Sequence, residues 1–148
     1  MNKSLSASRV FFNASVIIAG LKSPSGGSAK LLQQVGKNQI KGIISEIVLD
    51  EVVRHADKIG KSQEATENTI VSAGFMITSA PPKAHVHEWS GKVIDPGDAH
   101  VLASAIQSKC TYLVTLDKKH ILILNLILKR NIKDLKIITP GEFIQLKP

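Results

Sequence analysis

The chain has 148 residues, 43% of them hydrophobic, which suits a single domain over residues 1–148 with a real core. The net charge of +7 and pI near 9.6 suit a polyanionic partner, most simply nucleic acid, or equally a soluble protein with lysines on its outer face. The lone Cys110 excludes an internal disulfide and a multi-cysteine zinc site. The 4% aromatic content argues against base-stacking platforms, and the absence of a signal pattern or membrane-length apolar run predicts a cytoplasmic protein with no membrane partner.

Arg9-Val10-Phe11-Phe12 is a short β-prone run that reads as a buried first strand. Asn13 closes it, where open α/β sheets place ligand groups, and Ser15 follows. Val16 to Ala19 predicts a short helix or turn ended by Gly20. Ser23 to Ser28 is a loop by composition, leading to a helix over 29–35 that Gly36 stops. This Gly-rich loop lacks the Gly-Lys-Ser/Thr ending and the spacing of a phosphate-binding loop, so it reads as a flexible turn.

Ile40 to Ile44 predicts the second strand. Ser45 is an N-cap candidate for a helix from Glu46 to about Ile59, ended by Gly60. On that helix Glu51 falls on the flank of the apolar face, and Glu46 and Asp50 fall on the far side. Glu51 is the acid able to reach inward, unless it pairs with Arg54 or His55 one turn on. A more polar helix over 61–73 ends at Gly74, and Phe75 to Thr78 predicts the third strand. His85 and His87 have no third partner that would make a metal site.

Asp95-Pro96-Gly97-Asp98 places Asp95 as N-cap, Pro96 at the first helical position and Asp98 at the third. Val101, Leu102, Ala105 and Ile106 give the following helix one buried face. Tyr112 to Thr115 is a short strand that delivers Asp117 at its end. Asp98 and Asp117 each also read as ordinary capping and turn residues; if they converge, they make the hard-oxygen site that magnesium and manganese prefer. The run 121–128 is apolar except for Asn125 and predicts a helix buried on more than one side, with a homodimer contact as the sharper reading. Ile137-Ile138 is the last strand. Strand starts near 9, 40, 75, 111 and 136, alternating with helices, predict an α/β three-layer sandwich around a mostly parallel, roughly five-stranded sheet.

Four segments together resemble the PIN domain family, which includes the VapC-type toxins of toxin–antitoxin pairs. They are Phe11-Phe12-Asn13-Ala14-Ser15-Val16-Ile17, Ser45 through Val52, Asp98 through Ala105, and Leu113-Val114-Thr115-Leu116-Asp117. The resemblance implies a PIN-like fold and a ribonuclease dependent on Mg2+ or Mn2+, with RNA as substrate and an antitoxin protein as a possible partner. It also implies that Asn13, Glu51, Asp98 and Asp117 are the metal-holding and catalytic positions. Asp95 is then an accessory acid, and Ser15 and Thr115 are supporting residues.

Asn13 departs from the family pattern, which has an acid there. An amide keeps an oxygen donor but removes a full negative charge, so metal affinity and cleavage are expected to weaken. The competing function is a catalytically silent PIN-like module that binds RNA or protein. A receiver-type signalling domain is a poorer fit, because Asn13-Ala14 and Thr139-Pro140 do not supply its acidic pair and its lysine.

Overall fold

The computed structural model describes residues 8–90, 93, 98–119, 124–127 and 134–146. Its frame is a five-stranded, all-parallel sheet: β1 (Arg9–Phe12), β2 (Lys41–Ser45), β3 (Met76–Thr78), β4 (Tyr112–Val114) and β5 (Lys136–Ile138). Each strand starts within one residue of its expected position. The reason is compositional: these are the short runs rich in Val, Ile and Phe between turn residues. Val10, Phe11, Phe12, Ile43, Ile44, Leu113 and Val114 are all fully buried. A parallel strand covered by helices on both faces needs such unbroken apolar runs rather than an alternating pattern.

The strand order is β3-β2-β1-β4-β5. The chain builds outward from β1 to β3, then returns to lay β4 on the other side of β1. Phe11 pairs with Leu113 and Phe12 with Val114 in register. The β1/β4 seam is therefore the topological switch point, where a crevice opens beyond the carboxyl ends of the strands.

The helices correct several expected boundaries. α1 (Ala14–Lys22) begins two residues before Val16 and continues through Gly20. It does so because the Asn13 side chain caps it, accepting from Ala14 N. Gly20 is needed for close helix packing: a Cβ there would lie 2.5 Å from Leu32 Cδ1, on α2 (Gly27–Gly36). The expected helix 46–59 is two helices, α3 (Glu46–Arg54) and α4 (Ala56–Ile59), hinged at His55. Ser45 caps α3 by accepting from Val48 N, and Gly60, at φ +84°, closes α4. α5 (Gln63–Ser72) follows, capped by Ser62. The His85/His87 segment is helical, forming α6 (Lys83–Ser90), with Trp89 buried.

The helix after Asp98, α7 (Ala99–Gln107), starts at Ala99, with Asp98 at its N-cap rather than at its third position. Asp95 and Pro96, the expected cap and first turn, lie outside the described residues. So does half of the 121–128 run, of which α8 (Leu124–Ile127) is described. α9 (Pro140–Gln145) ends the described chain, opened by a reciprocal cap between Thr139 and Glu142. Among the described residues no helix is long and apolar enough to cross a membrane.

Candidate functional site

At the carboxyl end of the sheet lies a cleft of about 650 Å³ lined by Asn13, Ser15, Ile18, Ala19, Lys22, Glu51, His55, Lys58, Asp98, His100, Val101 and Asp117. The four positions Asn13, Glu51, Asp98 and Asp117 arrive there from four separate segments of sequence. Asn13 comes off β1, Glu51 sits on α3, Asp98 opens α7, and Asp117 follows β4. Asp95 lies outside the described residues.

The seam between β1 and β4 is stitched by polar groups. Asn13 N donates to Val114 O at 3.0 Å, which continues the β ladder by one residue. The Asn13 amide is oriented by its partners. Ala14 N–H needs an acceptor, so Oδ1 must face it, at 2.9 Å. That leaves Nδ2 to donate to Thr115 Oγ1, also at 2.9 Å. The same hydroxyl accepts from Asp117 N at 3.0 Å. Thr115 is fully buried and ties residue 13 to the loop that carries Asp117. Ser15 Oγ accepts from Leu116 N at 3.2 Å, a second tie across the same seam.

The two donors already use the lone pairs of Thr115 Oγ1, so its own proton points away from both. A carboxylate at position 13 would need only a rotation of that hydroxyl. Its two oxygens would then accept from Ala14 N–H and Thr115 O–H, with Asp117 N still held.

On α3 the acids separate as helical geometry requires. Glu51 is half-buried on the cleft wall. Asp50 is exposed and pairs with Arg54 at 3.0 Å. Glu46 Oε2 accepts from Ala80 N at 2.7 Å and so ties α3 to the loop after β3. Neither of the alternative pairings for Glu51 takes its carboxylate: Arg54 is on Asp50, and His55 Nδ1 donates to the Glu51 backbone carbonyl at 2.8 Å. A carbonyl only accepts, so Nδ1 carries the proton and Nε2 is the ring nitrogen left to the cleft.

Sequence reasoning named His55 only as a possible pairing partner of Glu51, and did not single out Lys58, His100 or Lys22 as site residues. The signal was present as spacing. His55 follows Glu51 by one turn and Lys22 follows Ser15 by two, so each falls on the face turned to the cleft; Lys58 reaches it from α4, past the break at His55. Burial lowers the His100 pKa below the usual imidazole value, against the opposing pull of the Glu51 carboxylate. His100 Nδ1 and Ser104 Oγ, one turn apart on α7, are buried with no hydrogen-bond partner among the described residues.

Among the described residues no three His, Cys, Asp or Glu side chains converge closely enough to hold one ion together. The donor chemistry nevertheless suits a hard cation. Three carboxylates and an amide oxygen are all oxygen donors, and no thiolate lines the cleft. Mg2+ keeps several waters and takes one or two protein carboxylates together with substrate phosphate. An open wall of spaced acids meets that demand, whereas a Ca2+ cage or a closed zinc site would need more converging ligands.

A family model described as PIN domain matches residues 9–119, a span that includes all of these positions. Among solved structures the chain is similar to one in the crystal structure of VapBC2 from Rickettsia felis bound to a DNA fragment from their promoter. The TM-score is 0.62 at 18% identity, covering 88% of this chain and 98% of that chain. At that identity the likeness establishes the fold. No curated protein matches the sequence.

Proposed function

Because this chain belongs to the PIN domain family, we propose that its cleft is the site of a ribonuclease dependent on Mg2+ or Mn2+, weakened by Asn13. The observation that carries this reading is the meeting of Asn13, Glu51, Asp98 and Asp117 on one cleft at the β1/β4 switch point. Of Glu51, Asp98 and Asp117, one or two would hold the cation directly, the rest and the Asn13 amide would reach it through its bound waters, and Asp95 would serve as an accessory acid. A divalent cation bound there supplies positive charge against the oxygens of a phosphodiester and acidifies water.

The chain's own residues prepare the site. Thr115 fixes residue 13 and the Asp117 loop relative to each other, and Ser15 braces Leu116 beside them. Pre-set donors of this kind avoid reorganisation when charge develops. Asn13 weakens the set by one full charge. Its Oδ1 keeps a lone pair but already serves as the α1 cap.

A second reading, a silent module that binds RNA or protein, is favoured by that same substitution and by the spacing of the acids. Incubation of the protein with a fluorogenic RNA at millimolar Mn2+ separates the two. Cleavage that disappears on chelation supports the nuclease, and an intact substrate supports the module. The fold likeness to a VapBC2 chain supports a toxin role with an antitoxin as protein partner; a cytoplasmic location belongs to the same reading. Self-association through the 121–128 segment rests on its apolar sequence. Light scattering that finds only monomer at tens of micromolar, roughly the range of modest affinity, would remove it.

A further inference from the structure

We propose that Lys22 and Lys58 form a two-cation clamp for the RNA phosphate beside the one held at the carboxylates. The clamp would make a strand, rather than a terminal phosphate ester, the ligand of the cleft. This rests on the reading of the cleft as an RNA site and adds the residues that select its substrate.

The clamp follows from how two helices meet. α1 turns Ser15, Ile18, Ala19 and Lys22 to the cleft, and α3–α4 turn Glu51, His55 and Lys58 to it. α1 packs on both α3 and α4, so the two faces form facing walls. Lys22 lies two turns beyond Ser15 on α1, about 10 Å of helix, and Lys58 lies in the short α4, past the break at His55. The cleft lining is bipolar, with the carboxylates of Glu51, Asp98 and Asp117 on it together with two lysines carried in the last turns of α1 and α4. Lys22 is the one charged residue of α1, and it falls on the cleft face. Asp57, beside Lys58, does not line the cleft. Among the described residues neither lysine pairs with a carboxylate; the ion pair found is Arg54 with Asp50.

The bland account is that both lysines sit in last turns to complement a helix dipole. It suits Lys22 but not Lys58, because α4 has four residues and so carries little aligned dipole. A wall of carboxylates also repels a polyanion, and one divalent ion does not cancel three acids. Cations on the cleft walls turn the approach attractive, and Lys22, about 10 Å of helix beyond Ser15, would sit on a neighbouring phosphate rather than the scissile one. With few aromatic residues for stacking, affinity must come through the backbone.

The test is fluorescence anisotropy of a short labelled single-stranded RNA over a salt series in EDTA, where no cleavage occurs. The double variant Lys22→Gln/Lys58→Gln is compared with Lys37→Gln/Lys41→Gln. The second pair lies at the opposite end of the sheet and loses the same charge. The clamp predicts that the first variant flattens the slope of log K against log salt by about 0.7 per lysine, about 1.4 in all, and that the second leaves it unchanged. Equal slopes for the two doubles would overturn the clamp, and so would tighter binding to single-stranded DNA of the same sequence. Because this readout needs neither metal nor turnover, it fails separately from the nuclease reading. A slope difference without cleavage by any variant removes the nuclease and leaves the clamp; cleavage with equal slopes does the reverse.

Discussion

The two ends of the sheet are built by the same five strands and differ in almost every other respect. At the carboxyl end the chain leaves β1, β2 and β4 through the polar residues Asn13, Ser45 and Thr115, which cap helices or tie loops across the seam. The cleft there carries three carboxylates and two lysines. At the amino end a smaller hollow of about 210 Å³ is lined by Asn38, Ile40, Lys41, Gly42, Gly74, Phe75 and Met76. Beneath it Phe75 stands edge-on to Phe12, with ring centroids 5.0 Å apart. Gly42 leaves no room for a Cβ, which would fall 2.7 Å from Val35 Cγ2 and 2.9 Å from the Phe75 ring. One end spends its residues on packing and the other on placing charge, which is why a substitution at each end should be felt in a different measurement.

The largest effect should come from the charged end. In an Asn13→Asp background, Asp98→Asn is expected to lower Mn2+-dependent RNA cleavage by about 100-fold or more, since losing a ligand costs more than losing a supporting partner. An undiminished rate would take Asp98 out of the site. Thr115→Val in the same background removes the hydroxyl that joins residue 13 to Asp117. It should cost about 10- to 100-fold in metal affinity or rate, and about 1–3 kcal/mol of stability as well, because residue 13 and Asp117 N lose the buried hydroxyl they share.

Gly42→Ala tests the other end. Overpacking against Val35 and Phe75 should destabilise the fold by about 1–3 kcal/mol in urea unfolding and leave Mn2+ affinity within about twofold. A large change in affinity would mean that the two ends are coupled, and the contrast drawn between them would fail.

The smallest expected effect is on pH dependence. Burial holds the folded-state pKa of His100 below its ordinary value, so the unfolded chain takes up that proton first. Stability therefore rises with pH and is lost as pH falls through the ordinary imidazole value of about 6.5. His100→Gln should flatten the Tm between about pH 7 and pH 5. A Tm curve unchanged by the substitution would assign that slope to other groups.

Most of the fold was legible because its signals are local. Five apolar runs and their turn residues set the strand starts, and Ser45, Gly60 and Gly74 marked helix ends by ordinary capping chemistry. The boundaries that were misread have non-local causes. α1 begins early because a strand-end side chain caps it, and it runs through Gly20 because α2 packs close against it. At the break the His55 ring bonds back to the Glu51 carbonyl, a contact no periodicity reveals. In the site, Glu51 was separable from Glu46 and Asp50 by helical phase alone. The joint grip of Thr115 on Asn13 and Asp117 was not, because it depends on β1 and β4 being neighbours, a fact of strand order and not of spacing. Lys22 and Lys58 were visible only as part of a general positive charge until their helices were laid against one cleft.

The central claim, that residue 13 belongs to a hard-cation site and weakens it, is tested most directly by calorimetric titration of Mn2+ into the Asn13 protein and its Asn13→Asp variant. A carboxylate fits between Ala14 N and Thr115 Oγ1 without moving the backbone, and it adds a full charge close to a divalent ion, worth on the order of a kcal/mol or more. The account predicts binding at least about tenfold tighter for Asn13→Asp, about 1.4 kcal/mol. Equal affinities for the two proteins would mean that residue 13 is not a ligand position and would contradict the account.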